Sequence, residues 1–242
     1  MKKILVPALI ATALASITSM AHAAEPESSL SYNAGVVSDY RYRGISQSRL
    51  DPALQGGVDY ADKSGFYVGA WGSSIKWIKD AAGGDAPVEI DLYGGYKGTV
   101  GDVAYDVGFL RYQYSGNTAG DNTNEVYGAV TYGLFTAKYS HAVSNLFGFA
   151  DSKNSGYLDL SAALDLGNGY SLTPHVGRQV VKNNGASSYT DYSLTFAKDL
   201  GNGLSASAAL VDTNNDSYSS GSATGSKNLG KSGVVVGLKY AF

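Results

Sequence analysis

Gly233-Val234-Val235-Val236-Gly237-Leu238-Lys239-Tyr240-Ala241-Phe242 places Val234, Val236, Leu238, Tyr240 and Phe242 at every second position. Alternate side chains of a strand point to opposite faces. One face of this stretch is therefore wholly apolar. The other carries Gly233, Val235, Gly237, Lys239 and Ala241, small residues with one charge. Two readings fit: a half-buried strand of a soluble sheet, or the closing strand of a membrane β-barrel. The rest of the chain has to decide between them.

The same alternation recurs upstream and predicts twelve strands, at about 30–43, 53–61, 65–75, 88–97, 102–114, 124–132, 134–141, 156–166, 169–180, 190–198, 203–211 and 233–242. In the first, Leu30, Tyr32, Ala34, Val36, Tyr40 and Tyr42 share a face, opposed by Asp39, Arg41 and Arg43. In the fourth, Val88, Ile90 and Leu92 oppose Glu89 and Asp91; in the eighth, Leu158, Leu160, Ala162, Leu164 and Leu166 oppose Asp159. The third carries aromatics on both faces, and the fifth loses phase at Arg111, which marks a bulge or the edge of a membrane.

The linkers alternate in length. Asp62–Ser64, Gly98–Gly101, Gly133, Gly167–Gly169 and Asp199–Gly203 are tight turns built of residues that tolerate positive φ. Between them lie longer polar connections at about 44–52, 76–87, 115–123, 142–155, 181–189 and 212–232. Outer-membrane barrels have short periplasmic turns, longer outer loops and an even strand count. A bilayer also requires every backbone polar group to be paired within the protein, which only helices and closed barrels achieve. Tyr32, Tyr60, Phe66, Tyr96, Tyr132, Phe135, Tyr170, Tyr240 and Phe242 gather beside the short turns, where a periplasmic aromatic girdle would lie. A soluble sandwich has no reason to sort its loops by length or to cluster Tyr at one end. The predicted fold is all-β, a 12-stranded antiparallel transmembrane barrel.

Residues 1–23 read as a secretory signal: Lys2 and Lys3, an apolar run from Ile4, and the small-x-small site Ala21-His22-Ala23, with cleavage after Ala23. Residues 24–242 form the single barrel domain. The chain has 18 basic and 21 acidic residues, and loss of Lys2 and Lys3 takes the balance to about −5, the wrong sign for a nucleic-acid binder. There is no cysteine, hence no disulfide framework and no thiolate chemistry. No second run of 18 or more apolar residues exists, which excludes a helical membrane protein.

Ser38-Asp39-Tyr40-Arg41-Tyr42-Arg43-Gly44-Ile45-Ser46-Gln47-Ser48, followed by Pro52-Ala53-Leu54-Gln55-Gly56, resembles the TorF-type porin-like family of bacterial outer-membrane proteins. Gly65–Trp71, Glu89–Tyr96 and the Asp191-Tyr192 pair extend the resemblance over most of the mature chain. It implies residence in the Gram-negative outer membrane, with transport as its corollary. The closing strand with its terminal Phe242 is similar to the signal that the barrel-assembly machinery reads, which implies that machinery and outer-membrane lipid as partners.

Other motifs carry less. Gly225-Ser226-Lys227-Asn228-Leu229-Gly230-Lys231-Ser232 satisfies the P-loop pattern, but a polar run precedes it and a strand follows, where a phosphate-cradling loop needs a strand before and a helix after. Asp212, Asn214 and Asp216 have calcium-loop spacing, yet the sixth and twelfth places hold Ser217 and Ala223 instead of Gly and Glu. No cofactor is implied. The mature chain has only His141 and His175, with no nucleophile elbow to serve, so an enzyme is not expected. What remains is an inner wall. Strand facing puts Asp39, Arg41, Arg43, Asp59, Glu89, Asp91, Glu125, Lys138, Asp159, His175 and Asp191 towards the lumen. Such a wall either lines a passive pore for ions or small polar solutes, biased towards cations by its acidic excess, or pairs across the lumen and closes it. In the second case the long outer loops would carry a structural or adhesive role.

Overall fold

The computed structural model describes residues 28–80, 86–116, 120–219 and 225–242. The expected signal segment and its cleavage site lie outside the described residues. Twelve antiparallel strands form one barrel: β1 (Ser29–Val37), β2 (Ala53–Ala61), β3 (Phe66–Ser74), β4 (Val88–Val100), β5 (Val103–Tyr114), β6 (Thr123–Tyr132), β7 (Phe135–Ala142), β8 (Gly156–Ala162 and Leu164–Gly167), β9 (Tyr170–Val180), β10 (Tyr189–Gly201), β11 (Leu204–Thr213) and β12 (Gly233–Ala241). Each pairs with its sequence neighbours, and β12 returns to β1 with Asn33 opposite Ala241 and Val37 opposite Gly237. The terminal residue completes the seam. Phe242 N–H donates to Tyr32 O at 3.0 Å, and Tyr32 N–H donates to Phe242 O at 2.8 Å. No helix among the described residues is long and apolar enough to cross a membrane.

The faces are sorted as the alternation predicts. Val68, Leu194, Leu210 and Val236 point outward and are exposed, whereas Glu89, Glu125 and Asp191 point inward and are each 2 % exposed. A water-soluble protein reverses this order; a bilayer, with hydrocarbon outside, demands it. At the turn end, rings pack together where the girdle was expected: Tyr32 stacks on Phe242 at 5.7 Å, Phe66 meets Tyr96 edge-on at 5.0 Å, and Tyr170 stacks on Phe196, a ring outside the expected set, at 5.5 Å between centroids. The tight turns need left-handed residues. Asn202 and Gly203 sit at φ +52° and +80°, and a Cβ on Gly203 would run into the Ala241 carbonyl oxygen.

Four expectations change. β1 ends at Val37, well short of residue 43, because Ser38 caps its ladder: Ser38 N–H donates to Val236 O at 2.8 Å and Val236 N–H to Ser38 Oγ at 3.0 Å. The chain then turns into the lumen instead of continuing the wall. Tyr40 and Tyr42, expected on the lipid face, are inside, where each phenol finds a polar partner that hydrocarbon could not supply. The fifth strand keeps its register through Arg111, with no bulge. The eighth strand is broken at Ala163 despite its regular sequence.

The outward face sets the first prediction. Leu194→Arg, at mid-height on β10, should cost about 2–4 kcal/mol in urea titrations of the lipid-inserted barrel. Its inward neighbour Thr195→Arg should cost markedly less.

Candidate lumen constriction

Residues 38–51 form an inturned segment that spans the barrel. Within it Arg41–Tyr42 pairs with Ile45–Ser46 as a small hairpin. Its two turn residues, Arg43 and Gly44, both have positive φ, at +47° and +78°. That is the turn geometry in which Asn-Gly is favoured and Arg is strained. A Cβ on Gly44 would collide with the Thr213 and Asp191 side chains, so only glycine fits. The segment is tied to itself as well. The Asp39 carboxylate accepts from Ser46 Oγ at 2.5 Å, Ser48 Oγ at 3.2 Å and Arg41 Nε at 2.5 Å.

Its side chains reach the wall in several directions. Arg43 donates from Nη1 and Nη2 to Glu125 on β6 at 3.0 and 2.7 Å, and from Nη1 to Gln179 on β9 at 2.8 Å. Its guanidinium lies over the rings of Tyr42, at 4.7 Å, and Tyr157, at 4.3 Å. Tyr40 OH donates to Glu89 Oε1 on β4 at 2.6 Å, and the Tyr42 and Tyr112 hydroxyls share a hydrogen bond of 2.5 Å. Arg41 Nη1 reaches the carbonyls of Leu229 and Lys231, both at 3.0 Å. An apolar cluster packs around these groups: Val37, Tyr40, Ile75, Ile78, Leu110, Tyr112 and Tyr114 are buried together, with Trp71 and Trp77 against them. Beside the segment, Lys76 Nζ donates to Asp51 at 2.7 Å and holds that carboxyl below its ordinary pKa.

Below this plug the wall is polar and largely self-matched. One row of facing residues runs from β4 to β8: Lys97 opposite Asp106, Asp106 opposite Ala129, Ala129 opposite Lys138, and Lys138 opposite Asp159. Opposite charges on facing strands attract each other. Lys97 and Lys138 also sit over the rings of Tyr67 and Tyr127, at 4.4 and 4.0 Å. Tyr67 OH donates to Asp106 at 2.6 Å and Tyr93 OH to Asp59 at 2.5 Å. His175 lies between two carboxylates, Nε2 at 3.1 Å from Asp159 and Nδ1 at 3.5 Å from Asp191, and Tyr157 OH donates to Asp191 at 3.0 Å.

The eleven sequence candidates therefore divide. Asp39, Arg41 and Arg43 are on the inturned segment and not on the wall, because β1 is shorter than expected. Glu89, Asp91, Glu125 and Asp191 are deeply buried near it; Asp59, Lys138, Asp159 and His175 are part-exposed on the wall. Asp91 stands apart. It is 1 % exposed, and neither carboxylate oxygen has a hydrogen-bond partner. Sequence reasoning passed over Asp106 and Gln179, which share the inward parity, and Tyr127 and Tyr157, aromatics on a face read as polar; Tyr67 is on the strand with aromatics on both faces. Among the described residues no group of three or more His, Cys, Asp and Glu could hold a metal ion.

The geometry is similar to that of solved porins. The KdgM porin superposes with a TM-score of 0.56 at 8% identity, covering 88% of this chain and 98% of that one. The NanC porin gives 0.56 at 11% identity, with 88% and 99% covered. A second KdgM structure, in complex with disordered oligogalacturonate, gives 0.55 at 9% identity over 88% and 98%. At such identities the likeness speaks for the fold alone. No curated protein matches the chain. A family model described as "Bacterial protein of unknown function (Gcw_chp)" matches residues 21–242, and the chain belongs to that family.

Proposed function

We propose that this protein is a passive outer-membrane channel for ions or small polar solutes, narrowed by the inturned segment. The observation that carries the reading is a closed barrel whose inner wall is charged and whose outer wall is apolar. The TorF-type likeness of Ser38–Ser48 and the porin-like fold support the same location. Outer-membrane lipid, and the barrel-assembly machinery acting on the strand that ends in Phe242, belong to this reading. It involves no chemical step.

The lumen leans towards cations. Inward carboxylates outnumber inward Arg and Lys, and the wall charges largely cancel in facing pairs. Asp91 and Glu89, buried beside the inturned segment, lie outside those pairs. KdgM is seen with an acidic sugar polymer; this acidic wall favours the opposite sign.

Purified protein in planar bilayers should give steady conductance steps, with a reversal potential that favours K⁺ over Cl⁻ in a salt gradient. Exchanging Glu89 and Asp91 for Gln and Asn should move that potential towards zero. Absence of steps eliminates the open channel.

Arg43 holds the constriction. Arg43→Ala leaves Glu125 buried without its cation and should cost about 3–5 kcal/mol in stability, the usual result of breaking a buried pair. The released segment should enlarge the conductance step. Arg43→Met combined with Glu125→Leu should recover most of the stability.

The apolar cluster beside the inturned segment favours a second reading, a closed barrel that acts through its outer loops. Under it the wild type conducts nothing, and deletion of residues 214–228 abolishes surface binding or adhesion while the barrel still folds. Unchanged binding after that deletion counts against it.

A further inference from the structure

The outward row of the twelve strands is nearly free of charge. By strand parity its charged residues are Arg111 on β5, Arg178 on β9, Lys198 on β10 and Asp212 on β11. Lys198, at the turn end, is covered by the Tyr170 ring at 4.0 Å. Arg111 is at the loop end, one outward step beyond the exposed Phe109. That step is about 7 Å along a strand, enough to leave hydrocarbon and enter the headgroup layer.

Its guanidinium is held in place by neutral groups only. Nε and Nη2 donate to Gln113 Oε1 at 3.0 and 2.7 Å, and Nη1 donates to Asn124 Oδ1 at 3.2 Å. Gln113 and Asn124 share its outward face, and no carboxylate pairs with it among the described residues. The inturned segment treats its cations differently: Arg41 and Arg43 are each matched to an acid. Arg111 is an oriented fork with a full charge and N–H donors to spare, beside the apolar Phe109 and Val126. Such a fork fits a phosphate with two parallel hydrogen bonds, and basic sites at a membrane surface recruit anionic headgroups.

We infer that Arg111, with Gln113 and Asn124 as its scaffold, binds the phosphate of a phosphorylated glycolipid in the outer leaflet, with the acyl chains lying along Phe109 and Val126. The inference rests on the outer-membrane reading above and is independent of conduction.

The test uses the full chain in detergent, with barrel integrity followed by heat-dependent gel mobility and bound lipid counted by native mass spectrometry. Bisphosphorylated lipid A is the probe, against its fully dephosphorylated form and inorganic phosphate. Wild type should retain lipid A at least about tenfold better than the dephosphorylated form, the worth of one to two charge-assisted hydrogen bonds. Arg111→Gln should lose that preference with the barrel intact. Gln113→Glu, which supplies an internal carboxylate and leaves the arginine in place, should weaken it too. Equal retention by wild type and Arg111→Gln overturns the inference, as does equal retention of dephosphorylated lipid. Displacement by inorganic phosphate at equal concentration makes it a free-anion site and also overturns it. A chain that stays soluble without detergent instead defeats the outer-membrane reading itself.

Discussion

The structure depends on closing a ring of backbone hydrogen bonds. Each strand offers N–H and C=O groups on both edges, and in hydrocarbon an unmet group costs several kcal/mol. An open twelve-stranded sheet would leave two such edges. The β1–β12 seam removes them, and its last pair of bonds is made by Tyr32 and the terminal Phe242. The terminal aromatic thus does two things: its backbone finishes the ladder and its ring joins the girdle against Tyr32 and Tyr240.

Closure creates a second problem. Eight strands enclose a space that side chains can fill, and sixteen enclose a water channel. Twelve fall between, and here the inturned segment takes up part of the room. It brings Asp39, Arg41 and Arg43 with it, and burying charges demands partners. The bidentate Arg43–Glu125 pair meets that demand across the lumen. The strained backbone at Arg43 is held in place by what its side chain makes at the hairpin tip: the bonds to Glu125 and Gln179 and the contact with the Tyr157 ring.

The period of two made the barrel legible. One strand face meets lipid and the other meets polar wall, so the pattern survives almost unbroken from Leu54 to Phe242. The inturned segment was not legible, and the reason is physical. Its residues alternate too, with Tyr40 and Tyr42 opposed to Asp39, Arg41 and Arg43. A tyrosine that faces lipid and one that faces a crowded lumen are the same letter. Ser38, whose hydroxyl ends the β1 ladder, is equally at home inside a strand. The inward tyrosines at 127 and 157 were missed for a related reason, since an aromatic on a polar face looks like noise until Lys138 or Arg43 is found over its ring. Facing alone put Asp59, Glu89, Asp91, Glu125, Lys138, Asp159, His175 and Asp191 on the inward parity, but it could not say which were already matched.

Matching separates structural charges from the rest. Lys97 with Asp106, Lys138 with Asp159 and Arg43 with Glu125 are pairs whose fields largely cancel beyond their own neighbourhood. A solute or a lipid responds to what is left uncancelled. Inside, Asp91 is outside the pairs, buried beside Glu89 with no hydrogen-bonding partner. Outside, Arg111 is held by two amides that position its charge without neutralising it. One lies on the inward face of the barrel and the other on the outward face. They differ in sign, as they must if the inner wall draws cations while the outer rim holds anions.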